Sequence, residues 1–468
     1  MGRAESDRVI RDTVVGALLH SHAGAGQARS HAGAPVARGH GGAVAPHRHV
    51  GVAAAQVSPG AAAPHVHAHG RTAHVHSHGV HAHSHPGASH AHPGAGPTPV
   101  FGLARNAAPP RLHLRGLLLP DGVERDLWLV DGRLSFTPVP GATTLAADCW
   151  ILPGLVDAHC HVGLGPNGPV DRATAEAQAL ADRDAGTLLI RDAGSPVDTH
   201  WLDDRPDLPD IIRAGRHVAR THRYLRYYAE EIEPETLVEE VRRQARRGDG
   251  WVKLVGDWID RQVGDLAPLW PADVARQAIE AAHEEGARVT AHCFGEQSVA
   301  ELVAAGIDGI EHGTGLDDAT IALMAERGTA LVPTLDNIDT FPEIAAQADP
   351  KFPVYAAHMR ALYARRDETI GKAWDAGVPV YAGTDAGGIR PHGTLLTEIQ
   401  ALARVGGAEF ALGAASWRAR PWLGRSGLDE GAPADVLVLQ ADPRQDLRAL
   451  DHPQAIILKG HVVAGRSS

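Results

Sequence analysis

A chain of 468 residues is too long for one small core and leaves room for an enzyme-sized domain with appendages. Its formal charge of −12, with no clustered Lys/Arg stripe, excludes the concentrated positive field that nucleic acids and anionic membranes require, so a small-molecule substrate is the default partner. Cys149, Cys160 and Cys293, an odd number without CxxC spacing, indicate neither a disulfide framework nor a Cys-rich zinc site, and no apolar run approaches the ~20 residues that span a bilayer; a cytoplasmic location is expected, with homo-oligomerisation left open.

Residues 1–109 read as a disordered tail. The first hundred contain no Phe, Tyr or Trp and are rich in Ala, Gly, Pro, Ser and His, so they bury too little apolar area to offset ordering entropy. Seventeen of the 30 histidines fall here, in runs such as His65 to His69 and His81 to His85. Such a tract either captures metal ions or reflects compositional bias alone. From Leu112 the texture changes to short alternating strands broken by Gly and Pro-Asp-Gly, as in LHLRGLLLPDG and ERDLWLVDG. DVLVLQADP and QAIILKGHVVAG repeat this texture near residue 440 and beyond, so 110–152 and 406–468 are expected to form one composite β-domain around an insertion.

The insertion, 153–405, alternates brief apolar runs with longer helical stretches, the signal for repeated βα units and a parallel sheet. Eight strands are expected, within Leu155 to His161, Thr187 to Gly194, Asp210 to Gly215, Trp251 to Asp257, Arg288 to Gly295, Gly309 to Gly315, Thr329 to Leu335 and Val378 to Gly387. Eight such units predict an α/β fold of the (β/α)₈ TIM-barrel type, whose chemistry sits at the carboxyl ends of the strands.

His159, His161, Lys253, His292, His312 and Asp385 each fall near such a strand end. Residues two apart on a strand share a face, so His159 and His161 can aim two imidazoles at one cation. One HxH pair is a weak signal, and any one of these histidines alone reads equally well as a buried residue bonded to backbone. Lys253 lies in WVKLV, apolar on both sides, where a lysine either snorkels to solvent or is held for a purpose. The joint set points to a site for one or two divalent cations, zinc first because imidazole and carboxylate ligands suit it, with manganese or iron also compatible.

PGLVDAHCH, TAHCFG, IEHGTG, AGTDAG and EGAPADVLVL resemble the motifs of the amidohydrolase superfamily over about Leu112 to Val463, and within it the group of imidazolonepropionases and metal-dependent Xaa-Pro-type dipeptidases. The resemblance implies a barrel flanked by a small β-sandwich. It also implies that Lys253 carries a CO₂-derived carbamate bridging two metals, since an ammonium would repel both. His159, His161 and Asp385 would then hold one cation and His292 and His312 the other. A metal-bound hydroxide would attack an amide, peptide or cyclic amide C–N bond, with Asp385 as the catalytic acid/base.

Substrate contacts are expected from loops after the second, third and seventh strands, with Arg191, Tyr228 and His392 as candidates beside Arg213, Tyr224 and Asn337. His217, His222, His283, His358 and His452 match no motif and are expected to be surface or structural residues. A lactonase or phosphotriesterase on the same barrel is a second reading. A mononuclear deaminase is a third, weakened by Lys253 and by Glu296, which stands four rather than three residues after His292. A different class altogether would be a His-rich metal-buffering protein working through the tail.

Overall fold

The computed structural model describes residues 108–465. The expected tail up to residue 107 lies outside the described residues.

Seven of the eight expected strands form where the apolar runs are: Leu155–Cys160, Thr187–Asp192, Asp210–Arg213, Trp251–Val255, Arg288–Cys293, Gly309–His312 and Ala330–Val332. Their residues are almost all buried, because helices cover a parallel sheet and leave no polar face. Trp251–Val255, Arg288–Cys293, Gly309–His312 and Ala330–Val332 pair in parallel and in sequence order, extended at one edge by Val218–Arg220 and Glu230–Ile232. Leu155–Cys160, Thr187–Asp192 and Asp210–Arg213 form a second parallel sheet.

The eighth expected strand is not a regular strand. Residues 379–386 instead make isolated parallel bridges, Val380 to Leu331 on one side and Ala386 to Cys160 on the other, and so link the two sheets. Among the described residues no ladder joins Asp210–Arg213 to the larger sheet, so strand pairing is not continuous around the α/β domain.

Helices between the strands carry their own start and stop signals. The helix Asp318–Arg327 begins where the Asp317 carboxylate accepts from the Thr320 N–H and ends at Gly328 in the left-handed region, φ 70°. Asp171 caps Arg172–Asp184 in the same way.

The flanking strands form one mixed, hydrogen-bonded sheet of seven strands. Val436–Leu439 from the end of the chain pairs antiparallel with Thr143–Pro153 from its beginning, and that contact merges both segments. Alternation serves both faces: Val436, Val438 and Ile457 pack with Leu114, Leu127 and Leu129, whereas Leu437, Leu439, Ile456 and Leu458 join the main core. The boundary expected at 406 falls inside the helix Leu395–Ala414, which is kinked at Gly407, so the sheet takes up the chain only from Val436.

Candidate metal centre

Leu155–Cys160 and the turn after it bring His159 and His161 to one point. His159 Nε2 lies 3.3 Å from His161 Nε2, and Asp385 Oδ1 lies 3.2 Å from the first and 3.1 Å from the second. The three side chains thus offer one ligand atom each within 4.8 Å of one another. The other ring nitrogens are engaged outward. His161 Nδ1 is 2.6 Å from the Gly194 carbonyl, which can only accept, and His159 Nδ1 is 2.7 Å from the Glu311 carboxylate. The His161 imidazole, with its proton on Nδ1, turns its Nε2 lone pair inward toward Asp385, and His159 Nε2 points to the same place. Two imidazole nitrogens and a carboxylate oxygen converging on one point suit a cation.

Asp385 is held by its neighbours. Its Oδ2 accepts from Asn337 Nδ2 at 2.7 Å, and its backbone stands at φ 55°. His312 is likewise left-handed, φ 69°, a conformation that non-glycine residues adopt at a cost and that clusters at functional sites. Glycines on both sides of Asp385 allow the approach: a Cβ on Gly383 would lie 2.6 Å from His159 Cβ, and one on Gly387, at φ 123°, would lie 2.5 Å from the His161 carbonyl. Asp157 ties the two segments together, accepting from the His159 and Thr384 N–H groups and from the Thr384 hydroxyl. Burial pushes the Asp157 carboxyl up to about 7, with the charge of Asp182 adding to the effect.

Lys253 is buried on the strand Trp251–Val255, its Nζ 3.4 Å from His159 Nε2. Burial lowers its pKa, opposed by Glu311 and Asp385. The His292 and His312 rings stand 4.7 Å apart, and His312 lies 5.4 Å from His159. Burial pulls the His312 imidazole down to about 3, which keeps it neutral; its Nδ1 is 2.7 Å from Thr334 Oγ1. His292 Nε2 is buried without a hydrogen-bond partner among the described residues, 3.7 Å from Asp257 Oδ1. All six residues expected as ligands therefore lie in one cluster.

The substrate candidates divide. Tyr228 lines the cavity above the cluster, together with Tyr224 and Asn337. Arg191 does not. It is fully buried inside the domain, donating to Glu311 at 2.6 Å and to the Ala158 carbonyl at 2.7 Å, with its guanidinium 4.8 Å from the Trp251 ring centre. It reaches the site only through Glu311 and His159. His392 is also withdrawn, its Nδ1 2.7 Å from Asp182 Oδ2 and its side chain 4% exposed. Arg213 is spent on Asp203, Asp249 and Thr199.

Glu311, Asp157 and Asp257 were not singled out in the sequence. A charge of each sign inside two apolar strand runs, Arg191 in LLIRD and Glu311 in GIEH, was the available signal, because such charges are buried only in pairs. His217 is buried, with its ring 5.6 Å from both His161 and Tyr224.

The cavity over the cluster is partly open to solvent. Its sides are aromatic: Tyr224 meets Trp258 edge-on at 4.8 Å, and Phe294 meets Phe341 at 4.7 Å.

The family model for the amidohydrolase family matches residues 150–463. The chain belongs to the amidohydrolase family. It is an enzyme of that hydrolase family, with the TIM-barrel-type α/β domain that its parallel sheets indicate. This amidohydrolase is 60% identical over 352 residues to an uncharacterized protein of Mycobacterium tuberculosis, covering 75% of this chain and 95% of that one. It is 28% identical over 232 residues to ochratoxinase of Aspergillus niger, covering 47% of each chain. The crystal structure of a Xaa-Pro dipeptidase with methionine bound in its active site superposes with a TM-score of 0.65 at 21% identity, over 75% of this chain and 99% of that one, and so shares its fold. Among the described residues no helix is long and apolar enough to cross a membrane.

Proposed function

We propose that this amidohydrolase is a metal-dependent hydrolase of amide, peptide or cyclic amide C–N bonds. The observation that carries the reading is the convergence of His159 Nε2, His161 Nε2 and Asp385 Oδ1 within 3.1–3.3 Å.

His159, His161 and Asp385 would hold one divalent cation, and His292 and His312 a second. Lys253, buried against His159, would join them as a CO₂-derived carbamate, because a carboxylate-like group there attracts both cations where an ammonium repels them. Zinc suits the donor set, and manganese or iron would accept it. Bound cations would lower the pKa of water toward ~7 and polarise the scissile carbonyl.

The remaining steps belong to the chain. Glu311, braced by Arg191 and by the Thr290 hydroxyl, fixes the His159 tautomer. Asn337 fixes the Asp385 carboxylate. Asp385 accepts the proton of the attacking water and delivers it to the leaving nitrogen, so that the amine departs neutral. The test is a screen of the purified enzyme against dipeptides, N-acyl amides, hydantoin-like rings, lactones and phosphotriesters. Turnover of C–N substrates is expected; turnover confined to lactones or phosphotriesters would overturn the assignment.

A further inference from the structure

Sixteen residues line the cavity above the metal centre, and none of these described residues is Lys or Arg. Six are aromatic (Tyr224, Tyr228, Trp258, Phe294, Phe341 and Tyr355), and Leu164, Leu225, Ile344 and Ile389 add branched aliphatic surface. The one carboxylate is Asp385, at the base. Of the cations adjacent in sequence to lining residues, Arg226 is exposed with its guanidinium 5.9 Å from the Tyr227 ring centre, and Arg223 and Arg390 are engaged elsewhere. Arg223 donates to Asp260 and to the Trp258 and Ala267 carbonyls. Arg390 is paired with Asp336.

A carboxylate on the substrate, away from the scissile bond, would thus lie against rings with no cationic side chain among the lining residues. An unpaired ion in such a place is strongly disfavoured. By contrast, the edge-to-face rings Tyr224–Trp258 and Phe294–Phe341 form a rigid slot whose exposed faces and edges suit a further ring or a branched alkyl group.

We infer that the cavity selects uncharged amides bearing an aromatic or bulky aliphatic group, and rejects the same amides carrying a free carboxylate on that group. This deepens, and rests on, the C–N hydrolase reading above. Recognition is by shape and desolvation.

The test uses a matched pair, 4-acetamidobenzamide and 4-acetamidobenzoate, which share ring, scissile bond and size and differ in charge. Turnover is measured as kcat/KM, and binding separately as quenching of the Trp258 contribution to fluorescence, isolated by comparison with Trp258→Phe. The neutral member is expected to bind and turn over at least ~100-fold better, about two decades of discrimination. Ile344→Arg, which sets a cation at the half-buried rim of the cavity, is expected to narrow that gap about tenfold by favouring the benzoate. Equal or better binding of the benzoate by the wild-type enzyme would overturn the inference. Selective quenching by the benzamide with no cleavage of either compound would uphold the cavity's selectivity while counting against the hydrolase reading, so the two failures are distinct.

Discussion

The base and the sides of one cavity differ in how they are held. At the base polar side chains are set against one another: His159 lies against Glu311, Glu311 accepts from Arg191 and Thr290, His161 lies against the Gly194 carbonyl, and Asp385 accepts from Asn337. The sides are held by ring contacts, with hydrogen bonds such as that from the Tyr228 hydroxyl to the Pro166 carbonyl few and peripheral. In a low-dielectric interior a network of charges must be completed or it destabilises the fold, so the base tolerates little change. Ring packing is graded and tolerates more. The base therefore suits the reaction, which does not vary, and the sides suit the substrate, which does.

Substitutions should separate the two regions by size of effect. Asp385→Asn keeps the shape and removes the proton acceptor; kcat should fall by about 10³ in steady-state assays with circular dichroism unchanged. Near-normal turnover would remove Asp385 from the acid/base role. Glu311→Gln acts one step further out. It weakens the anchor of His159 and leaves Arg191 buried without its carboxylate, so metal affinity should drop roughly 10–100-fold and unfolding should become easier by about 3–5 kcal/mol in denaturant titrations. If Glu311→Gln lowered stability but left metal affinity intact, the link from Arg191 to the metal centre would be broken.

On the sides the expected effect is smaller and of another kind. Trp258→Ala should raise KM about tenfold for an aromatic amide and leave kcat nearly unchanged, because the lost contact is equal in ground and transition states. A matching fall in kcat would mean that the sides share in the chemistry.

The smallest effect is in pH dependence. Glu398, fully buried, accepts from the Asp336 N–H beneath the short helix that carries Asn337, and burial raises its carboxyl from 4.5 to about 8. A raised acid favours the folded state while protonated, so its contribution is complete below pH 4.5 and is lost as pH rises through about 8. Glu398→Gln should flatten the stability profile across that window, as read by melting temperature against pH. An unchanged slope would show that Glu398 does not carry it.

The same contrast governs what the sequence reveals. His159, His161, His292, His312 and Asp385 are legible because each is a polar residue ending an apolar run, and a strand has few other reasons to end so. Lys253 is legible for its apolar neighbours. Arg191 misleads, because a strand-end arginine reads as a loop residue until its partner Glu311, more than a hundred positions away, is found across the domain. The order of strands in the flanking sheet is not legible, because alternation in each strand reports which faces are covered, not which strand will pair with which. The cavity sides are the least legible. Tyr224, Trp258, Phe294, Phe341 and Tyr355 come from separate segments with no shared spacing, and only tertiary packing gathers them.

The central claim is that this cluster works by holding divalent cations. It is tested most directly by elemental analysis of the purified protein paired with amide hydrolysis before chelation, after exhaustive chelation and after metal is restored. The account predicts about two divalent ions per chain, activity that disappears with them, and recovery on adding zinc or manganese. Full amide turnover by protein shown to be free of metal would contradict it.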